Sequence, residues 1–233
     1  MLDSPASEDE IYLARAGDID PYRPVCQGDV FADVAIPGRD TPGLAMVISH
    51  PCAMRAGPRM RERVTLAPVS EHRAIALEEW ASGHLRVMPL PVLREDAQAY
   101  AANLEEPASV DSARLALEQR IASLSDQGIV LLQQRYIHNH SRAEIPLEVL
   151  YKASAHVLEE LELHESWNIA LVRPAVQGGG ELGAVLEEQA DAFDQLMLTK
   201  ASDDRDLREL LKSASERAHV RRIVNRAIAE RRG

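Results

Sequence analysis

The sequence predicts an α+β protein, in which a small β-barrel is followed by a mostly α-helical C-terminal region. Up to Leu93 the chain contains short apolar runs that are separated by turns rich in Pro and Gly, as in small β-proteins. After Pro107 the apolar residues recur at spacings of three and four, which is typical of amphipathic helices. We therefore predict an acidic N-terminal segment at 1–20, the barrel at 21–95 and the helical region at 103–233.

Four apolar runs are predicted to be strands of the barrel. They span 30–34, 44–49, 64–69 and 84–90. The intervening sequences IPGRDTPG and RAGPR have the composition of tight turns. Residues 75–81 are predicted to form a short helix between the third and fourth runs.

The helical region is predicted to contain about five helices. Ser109 and Ser125 are the expected N-caps of the first two, and Pro146 fits the first turn of the third. Three consecutive glycines at 178–180 form a flexible break before the last two. The first, fourth and fifth helices are expected at 110–124, 181–199 and 203–231.

The charge of the chain is unevenly distributed. The 233 residues have a formal net charge of −11. Residues 103–216 carry twenty-one acidic and ten basic residues, whereas 217–233 carry six arginines and one glutamate. A protein of this net charge repels nucleic acid at long range, so any contact with nucleic acid has to be local. The two local basic sites are the loop at 55–63 and the C-terminal helix.

The sequence predicts a cytoplasmic protein that does not enter a membrane. No apolar run approaches the roughly 18 residues that cross a bilayer, and the acidic start of the chain lacks the features of a signal peptide. Cys26 and Cys52 are too few for a disulfide framework. We therefore expect both to be thiols in a reducing compartment.

Three segments carry a resemblance to a known family. They are QGDVFADV at 27–34, LAMVIS at 44–49 and VTLAPVS at 64–70. Together they resemble the MazF/PemK family of toxins, over about the first third of the chain. The resemblance implies an SH3-like, PemK-like barrel, single-stranded RNA as a ligand, and RNA cleavage that needs no metal.

The resemblance also implies which groups act on RNA. The Ser or Thr that the family has after its third strand corresponds to Ser70. The family's arginine before the second strand has no counterpart, because Thr41, Pro42 and Gly43 occupy these positions and Arg39 is four residues before Gly43. Ser70 and an arginine of the basic loop, such as Arg55, would instead orient and stabilise the phosphate while a ribose 2′-hydroxyl attacks.

The loop between the second and third predicted strands is strongly basic. It contains Arg55, Arg59, Arg61 and Arg63 with a single glutamate, and guanidinium groups match phosphate oxygens in geometry. Basic loops beside the barrel embrace RNA in the resembled family, so these arginines are the predicted contact for single-stranded RNA or DNA. The alternative is a solvated loop whose arginines balance the acidic helical region.

His50 and Cys52 follow an apolar strand, where a turn at Pro51 can present both side chains at the barrel rim. The loop arginines would favour the thiolate of Cys52, and His50 or His72 is the candidate base. The favoured interpretation is nevertheless a structural Cys52 that is buried under the turn. His50, Cys52 and His72 are one ligand short of a zinc site, so no metal is predicted here.

Two further histidine groups are weighed for metal binding. His138 and His140 would share a ligand only in an extended segment, because residues two apart on a helix point to different sides. His156, Glu160 and His164 are spaced by four and share one helix face, for which a solvated face is the favoured interpretation. We predict neither a metal nor another cofactor.

The C-terminal helix combines a narrow apolar stripe with basic flanks. Arg217 and Arg221 lie on one flank, and Arg222 and Arg226 lie on the other. Such a helix can dock on its own acidic domain, bind a partner groove or lie along phosphates. Docking on protein is favoured because the preceding helices are acidic, so the four arginines are the predicted partner contact.

The sequence thus favours a nucleic-acid-associated protein of a prokaryotic toxin–antitoxin or phage-defence system. It would be either a metal-independent ribonuclease or a non-catalytic relative that keeps the binding surface. One alternative is a non-enzymatic adaptor whose acidic helical region binds another protein or a second copy of this chain. The other is a cysteine-dependent enzyme that uses Cys52.

Overall fold

The computed structural model describes residues 2–96, 98–201 and 204–232, and the chain forms two compact units. The sheet unit contains the described residues up to Ile19, together with Val25–Met54 and Arg61–Lys152. The helical unit contains Asp20–Pro24, Arg55–Met60 and the described residues from Ala153 onward. The helical unit is therefore assembled from three separate stretches of chain.

Most of the strands belong to one antiparallel sheet. In chain order the strands are β1 (Tyr12–Arg15), β2 (Val30–Val34), β3 (Gly43–Val47), β4 (Arg55–Ala56), β5 (Arg59–Met60), β6 (Arg63–His72), β7 (Val87–Leu90), β8 (Ala99–Asn103), β9 (Ala108–Asp111) and β10 (Arg120–Leu124). The sheet unit has the hydrogen-bonded order β1, β10, β2, β3, β6, β8, β7, and β9 also pairs with β6. The strands β4 and β5 form a hairpin in the helical unit.

The longer helices follow the sheet in sequence. The helices are α1 (Pro51–Met54), α2 (Asp126–Ser141), α3 (Leu147–Trp167), α4 (Arg173–Gln177), α5 (Leu182–Met197), α6 (Leu207–Leu211) and α7 (Arg217–Arg232). A π-helical turn at Asn168–Val172 links α3 to α4. Within the described residues, no helix combines the length and the apolar character needed to cross a membrane.

The longest strand, β6, lies at the centre of the sheet unit. It pairs with β3 on one side, and on the other side with β9 along its first half and with β8 along its second half. Pro68 has no N–H to donate, and it lies at the changeover between the β9-paired Leu66 and the β8-paired Val69. A proline is therefore tolerated within a central strand.

The sequence Gln27-Gly28-Asp29 joins three strands of the sheet. Gly28 has a left-handed backbone, with φ of 88°, and its amide donates to the carbonyl of Val47 at 2.8 Å. Asp29 accepts a hydrogen bond from the Cys26 amide at 2.9 Å and forms a buried ion pair with Arg120 of β10 at 3.0 Å. The motif therefore turns the chain into β2 and connects β2 to β10.

The four predicted strands are confirmed with shifted limits. The strand β2 coincides with the predicted 30–34, whereas β6 extends the third prediction at both ends. The strand β7 begins only at Val87, after a left-handed residue at His84. The predicted helix at 75–81 is a single 3₁₀ turn at Leu77–Glu79. Strands also lie outside the predicted limits of 21–95, because β1 precedes them and β8, β9 and β10 follow.

The predicted helix at 110–124 is wrong. The strands β9 and β10 occupy this segment, with two 3₁₀ turns between them. The strand β10 lies between β1 and β2, so both of its edges are hydrogen-bonded, and Ala122, Ser123 and Leu124 are buried. A strand buried in this way shows no polar alternation, and its apolar spacing can imitate a helical period.

The sheet is not closed. Its end strands are β1 and β7, which do not pair with each other in the described part of the chain. The hydroxyl of Tyr12 in β1 donates to the carbonyl of Pro91, directly after β7, at 2.8 Å. The guanidinium of Arg15 donates to the carbonyl of Val92. Side chains therefore connect the two ends of an open sheet.

Besides the wrong helix at 110–124, whose expected N-cap Ser109 lies in β9, the helix boundaries follow the predicted signals with one exception. Ser125 caps α2 as predicted, since its Oγ accepts the amide of Gly128 at 3.1 Å, and the glycines at 178–180 separate α4 from α5. The predicted helix at 203–231 is instead the pair α6 and α7. Ser213 and Ser215 lie between them and bond to each other at 2.9 Å, and such side chains compete with helical backbone hydrogen bonds.

The helical unit has its own apolar core. The rings of Trp167 and Phe193 pack edge to face with centroids 5.7 Å apart. Residues from α3, α5, α6 and α7 surround them, including Leu163, Met197, Leu210, Leu211, Val220 and Val224. The C-terminal helix is therefore an integral part of this core.

Candidate anion-binding cleft

Ser70 and His72 lie two residues apart near the end of β6 and therefore point to the same side of the sheet. Both line an open cleft of about 560 Å³ in the sheet unit. Its floor comes from β6, β8 and β7, which are adjacent strands. Other lining side chains are Ser82, His84, Arg86, Asn103, Glu105 and Arg142. The structure thus brings two of the predicted catalytic residues together.

His72 is oriented by the backbone beside it. Its Nδ1 lies 2.9 Å from the carbonyl oxygen of Arg73, which can only accept, so Nδ1 carries the proton. The neutral ring therefore has its lone pair on Nε2. The ring of His84 lies edge-on to it, with the centroids 5.8 Å apart. Two imidazoles consequently share one wall of the cleft.

His84 is held neutral by its surroundings. Burial and the positive charge of Arg73 lower the pKa of His84. The guanidinium of Arg73 donates to His84 Nε2, so the proton of the neutral ring lies on Nδ1. Arg73 also donates to both carboxylate oxygens of Glu79, at 3.2 and 3.3 Å, and this bonding lowers the pKa of Glu79.

The cations of the cleft outnumber its carboxylates. Arg86 pairs with Glu105 at 3.3 Å, and Arg73 pairs with Glu79. Arg142 follows α2 with a left-handed backbone, and its exposed side chain makes no hydrogen bond or ion pair within the described residues. Of the charged residues that line the cleft, Arg86 and Arg142 are cationic and Glu105 is anionic, so the ion pair leaves one positive charge, on Arg142. The cleft is suited to bind an anion.

No family model matches this chain, and no curated protein matches it. A function for this chain is therefore inferred from the geometry of its candidate sites. Sequence reasoning found Ser70 and His72 but missed Arg73, His84 and Arg86. In the sequence these residues stand out only by their position next to predicted strands. They come together because β6, β8 and β7 are neighbours in the sheet, and a local pattern does not contain this pairing.

The predicted basic loop is divided between the two units. Arg55 and Arg59 belong to the hairpin in the helical unit, whereas Arg61 and Arg63 belong to the sheet unit. Arg59 forms an ion pair with Asp191 of α5. Arg63 donates to the Oγ and the carbonyl oxygen of Ser109 at 2.9 and 2.7 Å.

Arg55 contacts its own hairpin and α3. Its guanidinium donates to the carbonyls of Gly57 and Pro58 and lies 3.5 Å from His164 Nδ1. Ser70 lies in the sheet unit, so Arg55 and Ser70 belong to different units. A role for Arg55 beside Ser70 stays a prediction.

The predicted pair of His50 and Cys52 lies at the start of α1, and neither residue is among those that line the cleft. Cys52 is exposed, and its backbone amide lies 3.3 Å from His50 Nδ1. This contact makes His50 Nδ1 an acceptor for the backbone. The expectation of a buried Cys52 is wrong, because α1 directs it outward, whereas Cys26 is the buried cysteine.

The histidine face of α3 is not a solvated surface at His164. This residue is 6% exposed and stacks on Phe193 with centroids 4.9 Å apart. Burial, with a contribution from Arg55, lowers its pKa to about 3. Glu160, one turn earlier, pairs with Arg208 at 2.9 Å. Among the described residues, no group of three potential ligands is placed to hold a metal ion.

The arginines of α7 have different environments. Arg221 pairs with Glu159 and Glu162 of α3 at 2.6 and 2.8 Å, and Arg217 donates to the carbonyl of Leu211 at 3.0 Å. Arg222 and Arg226 are exposed, and their side chains make no hydrogen bond or ion pair within the described chain. Half of the predicted partner contact is thus engaged inside the helical unit.

Proposed function

We propose that this chain is a nucleic-acid-associated protein of a prokaryotic toxin–antitoxin or phage-defence type, and that it binds single-stranded RNA or DNA at the cleft of the sheet unit. The observation that supports this most is the guanidinium of Arg142, which has no partner within the described residues, beside Ser70 and His72. Charged donors and hydroxyl groups are the usual ligands of backbone phosphates. A cytoplasmic location belongs to the same proposal, because an exposed Cys52 suits a reducing compartment.

The sheet unit is proposed to be a distorted SH3-like barrel of the MazF/PemK type. The three segments that resemble this family supply β2, β3 and β6, which are neighbours in the sheet. The hydrogen bond from Tyr12 to Pro91 supports a curvature that brings the end strands together. In this proposal Ser70 has the position of the family's Ser or Thr after the third strand.

Two outcomes at the cleft fit the proposal: RNA cleavage without a metal, and binding without catalysis. For cleavage, Ser70 and Arg142 would hold the phosphate while the ribose 2′-hydroxyl attacks it. This attack forms a 2′,3′-cyclic phosphate and breaks the bond from phosphorus to the 5′-oxygen of the next nucleotide, which leaves and takes a proton from water. His72 is suited to take the hydroxyl proton, because its Nε2 has the lone pair. Incubation with RNA, and with an RNA that carries a single 2′-deoxy substitution at the cleaved position, separates the two outcomes.

Binding is tested by fluorescence anisotropy with a labelled single-stranded RNA, titrated at several salt concentrations. We expect Arg142→Gln to weaken binding and to reduce the slope of log K against log salt by about 0.7, the value for one phosphate contact on a single strand. Arg114→Gln is the matched control, because Arg114 is an exposed arginine of the sheet unit outside the cleft. Equal affinities and slopes for both variants would contradict the proposal.

An adaptor function is the second candidate, and the exposed Arg222 and Arg226 favour it. These residues are one turn apart on α7 and share a face that can meet an acidic partner or a second copy of this chain. Removing α7 would not test this, since Val220 and Val224 belong to the core of the helical unit. The double variant R222Q/R226Q, compared with the native chain by light scattering and pull-down at low and high salt, is the appropriate test. An unchanged mass and unchanged partner recovery would argue against it.

A further inference from the structure

Arg135 is a fully buried cation in the sheet unit. It lies on α2 with a relative exposure of 0%. Its Nη2 donates to the carbonyl of Trp80 at 3.0 Å, and its guanidinium carbon lies 5.1 Å from the centre of the Trp80 ring. Burial lowers the pKa of Arg135 to about 10, so the side chain still carries its charge at neutral pH.

Three hydrogen-bond donors of Arg135 and Trp80 lack acceptors. Its Nε and Nη1, and the indole Nε1 of Trp80, are buried and have no hydrogen-bond partner among the described residues. A buried donor without an acceptor is unfavourable, and a buried cation without an anion is more so. The three unsatisfied donors of Arg135 and Trp80 therefore indicate a place where an anionic group would accept their hydrogen bonds.

This pair adjoins the cleft that contains Ser70 and His72. One residue, Ala81, separates Trp80 from the turn Ser82–His84, which lines the cleft. Arg142, which lines the cleft, directly follows the end of α2, about two helical turns after Arg135. The charge of Arg135 also contributes to the lowered pKa of His84.

We propose that the cleft continues behind the turn Ser82–His84 into an anion subsite, where Arg135 and the indole N–H of Trp80 bind a terminal phosphate of the nucleic-acid strand. The identity of this ligand rests on the proposed function. An internal phosphodiester is joined to the strand on both sides and cannot enter a buried site. A terminal phosphate is joined on one side only and carries a charge between about −1.5 and −2 at neutral pH, which suits an otherwise uncompensated guanidinium.

The full-length protein is tested with RNAs of one sequence, about eight nucleotides long, that end in a hydroxyl or in a phosphate at the 5′ or the 3′ end. We expect a phosphate on at least one end to lower Kd by about tenfold, as a charge-assisted hydrogen-bonded pair does. Arg135→Met should abolish this preference, so that phosphate-ended and hydroxyl-ended strands bind with equal Kd. Trp80→Phe keeps the ring, removes the indole N–H, and should reduce the preference by roughly threefold.

A second measurement uses inorganic phosphate as the probe and does not depend on nucleic acid. Phosphate should raise the Tm of the native protein more than chloride does at equal ionic strength. Trp80→Phe should reduce this difference in Tm, and this test remains available if Arg135→Met does not fold. Equal affinities for phosphate-ended and hydroxyl-ended strands would overturn the subsite and leave nucleic-acid binding intact. A phosphate effect that requires Trp80, with no binding of any strand, would support the subsite and overturn the proposed function. No phosphate effect in either assay would overturn the subsite.

Discussion

Acidification should destabilise the helical unit through His164. The pKa of this buried imidazole is lowered from 6.5 to about 3, mainly by burial and then by Arg55. Below pH 6.5 the unfolded chain binds a proton at this position that the folded chain refuses, so the free energy of unfolding falls as the pH falls. The loss is about 1.4 kcal/mol per pH unit within this window, or about 2 kcal/mol between pH 7 and pH 5.

The contribution of His164 can be isolated by comparing variants. Carboxylates also titrate below pH 5, so urea denaturation of the native chain and of His164→Gln should be followed at both pH 7 and pH 5, and the difference between their losses should be about 2 kcal/mol. His219→Gln is the matched control, because His219 is an exposed histidine of the same unit. If His164→Gln loses as much stability on acidification as the native chain, the argument from burial is refuted.

Two further pairs of substitutions test local features. Gly57→Ala should destabilise by on the order of 2–3 kcal/mol, since a Cβ would lie 2.5 Å from Asp194 Oδ1 in addition to the strain of a left-handed φ of 61°. Gly38 also has a left-handed φ, 83°, but nothing lies within 4 Å of a Cβ there, so Gly38→Ala should lower the free energy of unfolding by only about 1 kcal/mol. Equal urea midpoints for the two variants would refute the steric argument. Cys52→Ser should change stability by less than about 0.5 kcal/mol because the side chain is exposed. Cys26 is buried, so Cys26→Ser should lower stability by at least about 1 kcal/mol. A larger fall in Tm for Cys52→Ser than for Cys26→Ser would contradict this.

Local signals predicted the elements that depend on local interactions. The cap at Ser125 and the break at 178–180 require only neighbouring residues, and both are present. The segment 110–124 was predicted as a helix because its spacing fits one, while its actual state is decided by β1, β2 and β6, which are distant in sequence. Tertiary pairing overrides a local period in such a segment.

The site could be predicted only in part for the same reason. Ser70 was found because it corresponds to the Ser or Thr after the third strand of the resembled family, and His72 because it follows the same predicted strand. The convergence of His84 and Arg142 on them requires the order of three strands and the end of α2, which no local pattern contains. The charge of the basic loop was evident, but the pairing of Arg59 with Asp191, 132 positions later, was not.

The discontinuity of the helical unit affects how this chain can be synthesised and divided. Arg23 pairs with Glu165 at 2.7 Å, and Asn168 donates to the carbonyl of Tyr22 at 3.0 Å, so a short early segment belongs to a unit that is made mostly of late sequence. During translation this segment leaves the ribosome well before its partners, and the helical unit cannot finish folding until α3 has followed. A fragment that starts at residue 153 would lack both contacts and would leave Glu165 and Asn168 without these partners. If limited proteolysis cuts the chain near residue 153, the two fragments should therefore remain bound to each other under native conditions and separate only when they are denatured.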